Sequence, residues 1–135
     1  KSFKVSKFKS FISREKRKIK QVLMDQEIIS GIGNIYSDEI LWQAEIHPAT
    51  PANMISDEKI GLMYNIMKKI LRLAIKAGGD SMSDFRNIYG EAGKFQNYHQ
   101  VYRREGEKCS RCLTIIKRIK IGGRSAHFCP KCQYE

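Results

Sequence analysis

Cys109-Ser110-Arg111-Cys112 and Cys129-Pro130-Lys131-Cys132 close the sequence as two CxxC pairs, sixteen residues apart. Two pairs of this spacing can place four thiolates tetrahedrally around one zinc ion. Two disulfides, as in a secreted protein, are the alternative, but no signal-peptide pattern opens the chain and the paired spacing is more typical of zinc. We therefore expect one structural zinc ion, with Cys109, Cys112, Cys129 and Cys132 as its ligands.

The stretch between the two pairs has the composition of a β-hairpin. Isoleucine alternates imperfectly with lysine and arginine over residues 115–121, and Gly122-Gly123 follows as a turn. This turn presents Arg124 at the tip of the predicted finger, where a guanidinium suits insertion between phosphates or into a groove. A solvated turn residue is the alternative interpretation of Arg124. His127 is predicted to lie in the second strand rather than to compete with the four thiolates for the metal.

The charge distribution points to a polyanionic partner. The chain carries 25 Lys and Arg against 14 Asp and Glu, a net charge of +11. Residues 1–20 hold nine basic residues and one acid, and residues 103–135 hold nine basic residues and three acids, so residues 21–102 are net negative. Two separate basic elements suit nucleic acid first, and a membrane surface is a distant second because the chain has no long apolar run.

Three helices are predicted ahead of the finger. Hydrophobic periodicity predicts them over Ser13–Ile29 with Ser13 as N-cap, over Ile35–Glu45 ending at His47-Pro48, and from Ser56-Asp57-Glu58 to Gly78-Gly79. Residues 80–97 show little periodicity and are predicted to form a long loop. The fold is therefore expected to be mainly α, with a helical domain over residues 1–102 and a zinc finger over residues 103–135.

The Gly31-Ile32-Gly33-Asn34 stretch precedes the second predicted helix. Its glycines allow another chain to approach the backbone closely, and the free N–H groups of the helix start favour an anion. Gly31, Gly33 and Asn34 are therefore candidate phosphate-binding residues. An ordinary connection between helices could use the same residues, so the signal is weak by itself.

Several stretches together resemble the C-terminal half of formamidopyrimidine-DNA glycosylase. They are residues 20–26 (KQVLMDQ), 31–39 (GIGNIYSDE), 46–48 (IHP), 78–79 (GG), 101–102 (VY) and 129–133 (CPKCQ), in matching order over nearly the whole chain. The resemblance implies a helix-two-turns-helix domain followed by a zinc-finger hairpin that grips DNA from the other side.

The resemblance also implies a function in DNA repair. Members of this family remove oxidised purines such as 8-oxoguanine and formamidopyrimidines and cut the strand by β,δ-elimination, which requires the damaged base to leave the stack. By this resemblance Lys20 and Asn34 hold phosphates around the lesion, Arg124 contacts phosphates and donates a proton in δ-elimination, and residues 81–94 cover the flipped base.

The catalytic group of the family lies outside these residues. It is an N-terminal proline that forms a Schiff base with C1′ of the sugar, assisted by a glutamate, in a β-rich domain. We expect the chain as given to bind DNA without excising a base. Lys1-Ser2-Phe3 opens it with no initiator methionine, which suggests part of a longer protein.

Departures from the family pattern leave the lesion preference open. Leu113 replaces a usual glycine, Asp80 a common threonine, Lys18 a frequent proline, and Glu15 lies in a usually basic stretch. The related endonuclease VIII branch acts on oxidised pyrimidines, whereas Gly90–Phe95 and the long loop favour purines. A non-enzymatic nucleic-acid-binding module is the alternative from another class. The expected partner is double-stranded DNA with a damaged base, bound by a monomer in the cytoplasm and nucleoid of a bacterium.

Overall fold

The computed structural model describes residues 4–25, 33–76 and 99–134. These residues form α1 (Val5–Arg14), α2 (Ile19–Leu23), α3 (Asn34–Ala44), a 3₁₀ turn (Ala52–Met54), α4 (Asp57–Lys76), β1 (Lys117–Ile121) and β2 (Arg124–Phe128). The expected architecture, a mainly helical domain followed by a C-terminal hairpin, is confirmed. Within the described ranges, no helix combines the length and apolarity that a membrane crossing needs.

The first predicted helix was wrong in its bounds. The helix α1 begins well before the predicted start and ends at Arg14, and the chain is extended before α2 begins at Ile19. The interruption has a tertiary cause, because the backbone N–H of Ile19 donates to Thr50 at 2.8 Å and that of Ala52 donates to Arg17 at 2.8 Å. Ser13, predicted as an N-cap, lies in the last turn of α1. Residues 26–29 of that prediction lie outside the described residues.

The helix α3 forms the centre of the helical domain. It contacts α2, α4 and β2, and most of its residues are buried, including Ser37, Asp38 and Glu39. A helix enclosed in this way cannot turn a polar face to water, so its buried polar groups must find partners inside the protein. Its bounds differ from the prediction by one residue at each end.

The helix α4 confirms the third predicted helix. The hydroxyl of Ser56 accepts the backbone N–H of Lys59 at 3.2 Å, which caps the first turn. The apolar face of α4 packs on α1 and α3 and completes the helical core, whose buried members are Phe8, Ile12, Ile19, Val22, Leu23, Tyr36, Ile40, Leu41, Ala44, Ile46, Ala52, Ile60, Met63, Tyr64 and Met67. The predicted end of the helix at Gly78-Gly79 and the predicted loop over residues 80–97 lie outside the described residues.

The hairpin pairs β1 with β2 in an antiparallel register that sets Ile121 opposite Arg124. Gly122 and Gly123 form the two-residue turn, with φ values of 58° and 82°. Tight hairpin turns of this length need positive φ, which glycine adopts at little cost. Ile115 and Ile116 precede β1, and it is Ile116 that is buried in the finger while Ile115 is exposed. The predicted alternation of isoleucine with basic residues starts at residue 115, whereas the strand itself begins at Lys117.

Candidate nucleic-acid interface and metal centre

The four predicted cysteine ligands converge at the base of the finger. Their sulfur atoms all lie within 4.8 Å of one another. The Sγ–Sγ distances are 3.9 Å from Cys109 to Cys132, 3.4 Å from Cys112 to Cys129 and 3.7 Å from Cys112 to Cys132. Four sulfurs about 2.3 Å from one zinc ion would be separated by roughly 3.8 Å in a regular tetrahedron. The cysteines therefore fit a closed structural zinc site.

Hydrogen-bond donors lie around these sulfurs, and they lower the pKa of two of them, Cys109 and Cys112. The N–H of Arg111 donates to Cys109 Sγ and that of Cys132 donates to Cys129 Sγ, both at 3.4 Å. Burial opposes ionisation of Cys109, but the backbone N–H groups of Cys112 and Arg111 help to outweigh it, so the pKa of Cys109 is lowered. The hydroxyl and backbone of Thr114 lower the pKa of Cys112 to about 6. These groups favour the thiolate, which is the form that binds zinc.

The other two thiols depend on the metal for ionisation. Burial raises the pKa of Cys129 to about 12, and burial also raises the pKa of Cys132. A bound divalent cation reverses this preference, because it stabilises a coordinating thiolate directly. Zinc binding at this site is therefore expected to release protons from Cys129 and Cys132.

The base of the finger packs on α3 through the Trp42 ring, among other contacts. The guanidinium of Arg111 lies 3.6 Å above the Trp42 ring and donates to the Trp42 carbonyl at 2.5 Å. Trp42 also belongs to the buried cluster that contains Cys109 and Cys129. Gln133 adds a second link, because its side chain accepts the N–H of Cys129 at 2.8 Å and donates to the carbonyl of Ile46 at 3.0 Å. The base of the finger is thus fixed to the end of α3.

Asp38 joins three elements through one buried carboxylate. Its Oδ1 lies 2.5 Å from the ammonium of Lys20 on α2. Its Oδ2 accepts the backbone N–H of His127 on β2 at 3.1 Å and lies 2.8 Å from Nδ1 of the same residue. His127 is a strand residue, as predicted. Because both Asp38 and Lys20 are only 1% exposed, this pair must remain satisfied inside the protein.

Glu39, the next residue of α3, binds the segment that leads to the finger. Its carboxylate accepts the backbone N–H groups of Gln100, Val101 and Tyr102 at 2.9, 3.0 and 2.9 Å. Burial raises the pKa of Glu39 and these three donors oppose the rise. The entry to the finger is therefore bonded to the helical domain, and the predicted division between residues 102 and 103 stays a prediction.

The fingertip lies beside α2. A methyl group placed on Gly122 would lie 2.7 Å from the side-chain nitrogen of Gln21. Arg124, which begins β2 directly after the turn, is exposed and close enough to Lys20 that its charge helps to lower the pKa of Lys20. Burial is the main cause of that lowering, and the Asp38 carboxylate opposes it. Because Gln21 follows Lys20 on α2, the fold places the turn that precedes Arg124 beside the helix that carries Lys20.

The start of α3 lies on the other side of Lys20. The hydroxyl of Ser37 lies 3.1 Å from the Lys20 ammonium and donates to the carbonyl of Asn34 at 3.0 Å. Gly33 is the N-cap and Asn34 the first residue of the helix, with a buried side-chain oxygen that has no hydrogen-bond partner among the described residues. Gly31 lies outside the described residues. Ser37 thus connects the Lys20 ammonium to the first turn of α3, which Asn34 begins.

Sequence reasoning assigned no role to Asp38, Glu39, Trp42, Arg111 or Gln133. One signal was available, because two adjacent carboxylates in a helix rich in large apolar residues indicate buried acceptors with specific partners. No pattern could have shown which donors they meet, since the donors lie 18 to 89 positions away along the chain.

A glycine-capped helix joined to a four-cysteine hairpin defines a class of protein, the helix-two-turns-helix module with a zinc finger. Residues 1–86 match the family described as the formamidopyrimidine-DNA glycosylase H2TH domain, and residues 106–133 match the zinc finger found in FPG and IleRS. The chain belongs to the formamidopyrimidine-DNA glycosylase H2TH domain family, and its four cysteines form the zinc site of the finger.

Known relatives are similar over nearly the whole chain. A formamidopyrimidine-DNA glycosylase of Streptococcus pneumoniae is 41% identical over 97% of this chain and 48% of its own length. One from Prochlorococcus marinus is 47% identical over 98% of this chain and 45% of its own length. The chain spans about half the length of the curated relatives it matches.

Solved structures of DNA complexes share the fold. The formamidopyrimidine-DNA glycosylase of Lactococcus lactis bound to DNA with an AP site matches with a TM-score of 0.83 and 42% identity, over 98% of this chain and 47% of that chain. A complex of the Lactococcus lactis protein with FAPY-dG DNA matches with a TM-score of 0.82 and 44% identity, over 98% and 48%.

Proposed function

We propose that the chain is the DNA-binding portion of a bifunctional DNA glycosylase and AP lyase in base excision repair. The proposal is carried by one observation: the turn that precedes Arg124 lies against Gln21 of α2, and the adjacent Lys20 contacts Ser37 in the first turns of α3. An exposed guanidinium, a buried ammonium and a helix start together favour a phosphate group. DNA that contains an AP site or FAPY-dG is the polyanion that the similar proteins bind in their solved complexes.

Each residue of this region has a proposed role. Arg124 is exposed whereas Lys20 is buried, so Arg124 is the residue that binds the phosphates around the lesion. It also donates a proton in the δ-elimination step. Gly31, Gly33 and Asn34 bind the same strand through backbone and side-chain groups. Lys20, whose ammonium is engaged by Asp38 and Ser37, adds positive charge beneath the phosphate.

Base removal requires a nucleophile that these 135 residues do not supply. The family's nucleophile is an N-terminal proline, whereas the three prolines of this chain are at positions 48, 51 and 130. We propose that this chain binds and clamps damaged DNA, and that excision depends on a domain that carries the proline and its glutamate.

Oxidised purines are the proposed lesions. The support is the complex of the Lactococcus lactis protein with FAPY-dG DNA. That protein has also been crystallised with DNA that contains an oxidised pyrimidine, which makes the pyrimidine branch the second candidate. Affinities for duplexes that differ only in the lesion would rank the two.

Fluorescence anisotropy with a labelled duplex tests the binding role. The probe is a duplex with a tetrahydrofuran abasic-site analogue, compared with the undamaged duplex over a range of salt concentrations. Arg124→Ala should retain zinc and bind the damaged duplex about tenfold more weakly, as expected for a lost charge-assisted hydrogen bond. Cys112→Ser should lose zinc and unfold the finger. Equal zinc loss in both variants, or no binding by the unmodified chain, would contradict the proposal.

Borohydride trapping tests the division of labour. Incubation of the chain with an 8-oxoguanine duplex and borohydride should yield no covalent adduct, because the N-terminal proline that forms the family's Schiff base is not among these 135 residues. An adduct formed by this chain alone would overturn that part of the proposal. We further propose a monomer that acts in the bacterial cytoplasm at the nucleoid, and sedimentation at several concentrations would test the monomer.

A further inference from the structure

Arg103 has an unusual backbone conformation. Its φ is 58°, in the left-handed region that is uncommon for residues other than glycine. The N–H of Arg104 donates to the carbonyl of Val101 at 2.9 Å, so Arg103 occupies the third position of a tight turn. Glycine or asparagine suits that position with least strain. The turn therefore explains the backbone shape but not the choice of arginine.

Glu45 and Leu113 are the other residues besides glycine with positive φ in the described ranges, and their surroundings differ. Glu45 ends α3, and its N–H donates to the carbonyls of Leu41 and Trp42. Leu113 closes the first cysteine knuckle, where its N–H donates to the carbonyl of Cys109 at 2.8 Å. A residue other than glycine that keeps a positive φ retains backbone strain, and such strain is often found where the side chain has a function.

The guanidinium of Arg103 is held over an aromatic ring. Its central carbon lies 5.5 Å from the centre of the Tyr102 ring. That ring contacts His127 edge-on at 5.2 Å and His99 at 5.4 Å. His127 is bonded to Asp38 and lies three residues along β2 from Arg124. Arg103 is thus placed next to the elements that hold Lys20 and the fingertip.

The charge of Arg103 has no acidic partner among the described residues, unlike that of its neighbour. Arg104 pairs with Glu107 at 2.8 Å and donates to the carbonyl of His99 at 2.9 Å, so its guanidinium is engaged. Arg103 is exposed, and no ion pair to it occurs in the described part of the chain. An arginine stacked on a ring keeps its N–H edge available for a bidentate contact.

We propose that Arg103 is a second phosphate-binding arginine of this interface, which contacts the sugar–phosphate backbone of the DNA beside the contact made by Arg124. The inference rests on the proposed function, because it names a further residue of the same interface. The ligand is a phosphodiester rather than a base, since the exposed guanidinium presents a charge that a phosphate oxygen complements.

The test compares Arg103→Gly, Arg103→Ala and Leu113→Gly in the zinc-loaded 135-residue chain. Binding is measured with the abasic-analogue duplex and with undamaged duplex at several salt concentrations. Both Arg103 variants should weaken binding by about tenfold and reduce the slope of log K against log salt by roughly 0.9, the value for one lost phosphate contact. The loss should be similar on both duplexes. Arg103→Lys should recover most of the slope because it restores the charge.

Thermal unfolding separates binding from backbone strain. Arg103→Gly should unfold at a higher temperature than Arg103→Ala, by roughly 2–5 °C, because only glycine relieves the positive φ. Leu113→Gly is the matched control, since it relieves a similar strain on an exposed, uncharged residue. It should leave DNA affinity and salt slope unchanged.

Distinct outcomes separate the two proposals. If Arg103→Gly and Arg103→Ala bind DNA as the unmodified chain does while Arg124→Ala binds weakly, the role of Arg103 is wrong and the proposed function stands. If the unmodified chain does not bind either duplex, both fail. A salt slope that falls equally in Leu113→Gly would also overturn the role of Arg103.

Discussion

Asp38 Oδ2 lies 2.8 Å from Nδ1 of His127, while the other oxygen of the same carboxylate lies 2.5 Å from the Lys20 ammonium. One side chain of α3 thereby fixes the relative positions of α2 and the hairpin. Because a carboxylate accepts hydrogen bonds, the proton of the His127 ring is assigned to Nδ1. Arg124 stands three residues from His127, so its position relative to Lys20 is set by this contact.

Asp38→Asn should be strongly destabilising. The substitution leaves the Lys20 ammonium buried without its countercharge, and breaking a buried pair from one side costs about 3–5 kcal/mol. Urea unfolding of the zinc-loaded chain would measure the loss. Asp38→Asn combined with Lys20→Met removes both charges, so the double variant should be more stable than Asp38→Asn alone. A double variant that loses the full sum of the two single effects would show that the pair is not coupled.

The two turn glycines make a matched pair of tests. Gly123→Ala meets no atom within 4 Å and should cost only the strain of a positive φ, about 1–2 kcal/mol. Gly122→Ala carries the same strain and also displaces Gln21, whose amide nitrogen would lie 2.7 Å from the new methyl group. Adding Gln21→Ala should therefore recover part of the loss in Gly122→Ala and none in Gly123→Ala. Equal coupling of Gln21 to both glycines would contradict the observed contact.

The single tryptophan of the chain should report on the metal. Trp42 is 7% exposed, and it packs against Cys109, Cys129 and the guanidinium of Arg111. Removal of zinc by a chelator should unfold the finger, expose the ring and shift its emission to longer wavelength. Arg124→Ala should have the emission of the unmodified chain before chelation and the same shift after it, because the Arg124 side chain lies at the opposite end of the hairpin from the metal. An unchanged spectrum after complete zinc removal would show that the finger stays docked without metal.

Stability should fall in acid through His99. Burial lowers the pKa of His99 to about 4, and the charges of Arg103 and Arg104 contribute to this shift. Between pH 6.5 and pH 4 the unfolded chain binds a proton at this residue that the folded chain resists, so the stability that neutral His99 supports is lost as the pH falls through that range. Denaturant midpoints measured from pH 7.5 to pH 4 should decline less steeply for His99→Gln than for the unmodified chain. Parallel curves would refute the assignment, and carboxylates that titrate in the same range affect both proteins alike.

The sequence predicted the local features because each rests on neighbouring residues. The CxxC spacing predicted the zinc ligands, the paired glycines predicted the turn before Arg124, and the periodicity of residues 57–76 predicted α4. The first predicted helix is the exception. Residues 15–18 continue an acceptable helical pattern, yet they are extended because their backbone pairs with residues 50–53.

Only the tertiary structure decided which groups meet. The sequence by itself determined a mainly helical chain, a four-thiolate metal site and two basic regions, since spacing and charge are properties of the chain alone. It could not show that Asp38 joins Lys20 to His127, or that Glu39 binds the backbone of residues 100–102. A buried carboxylate requires donors, but its own position on a helix does not specify them. The fold supplies those donors from distant positions, and it thereby packs the strand that begins at Arg124 against α3.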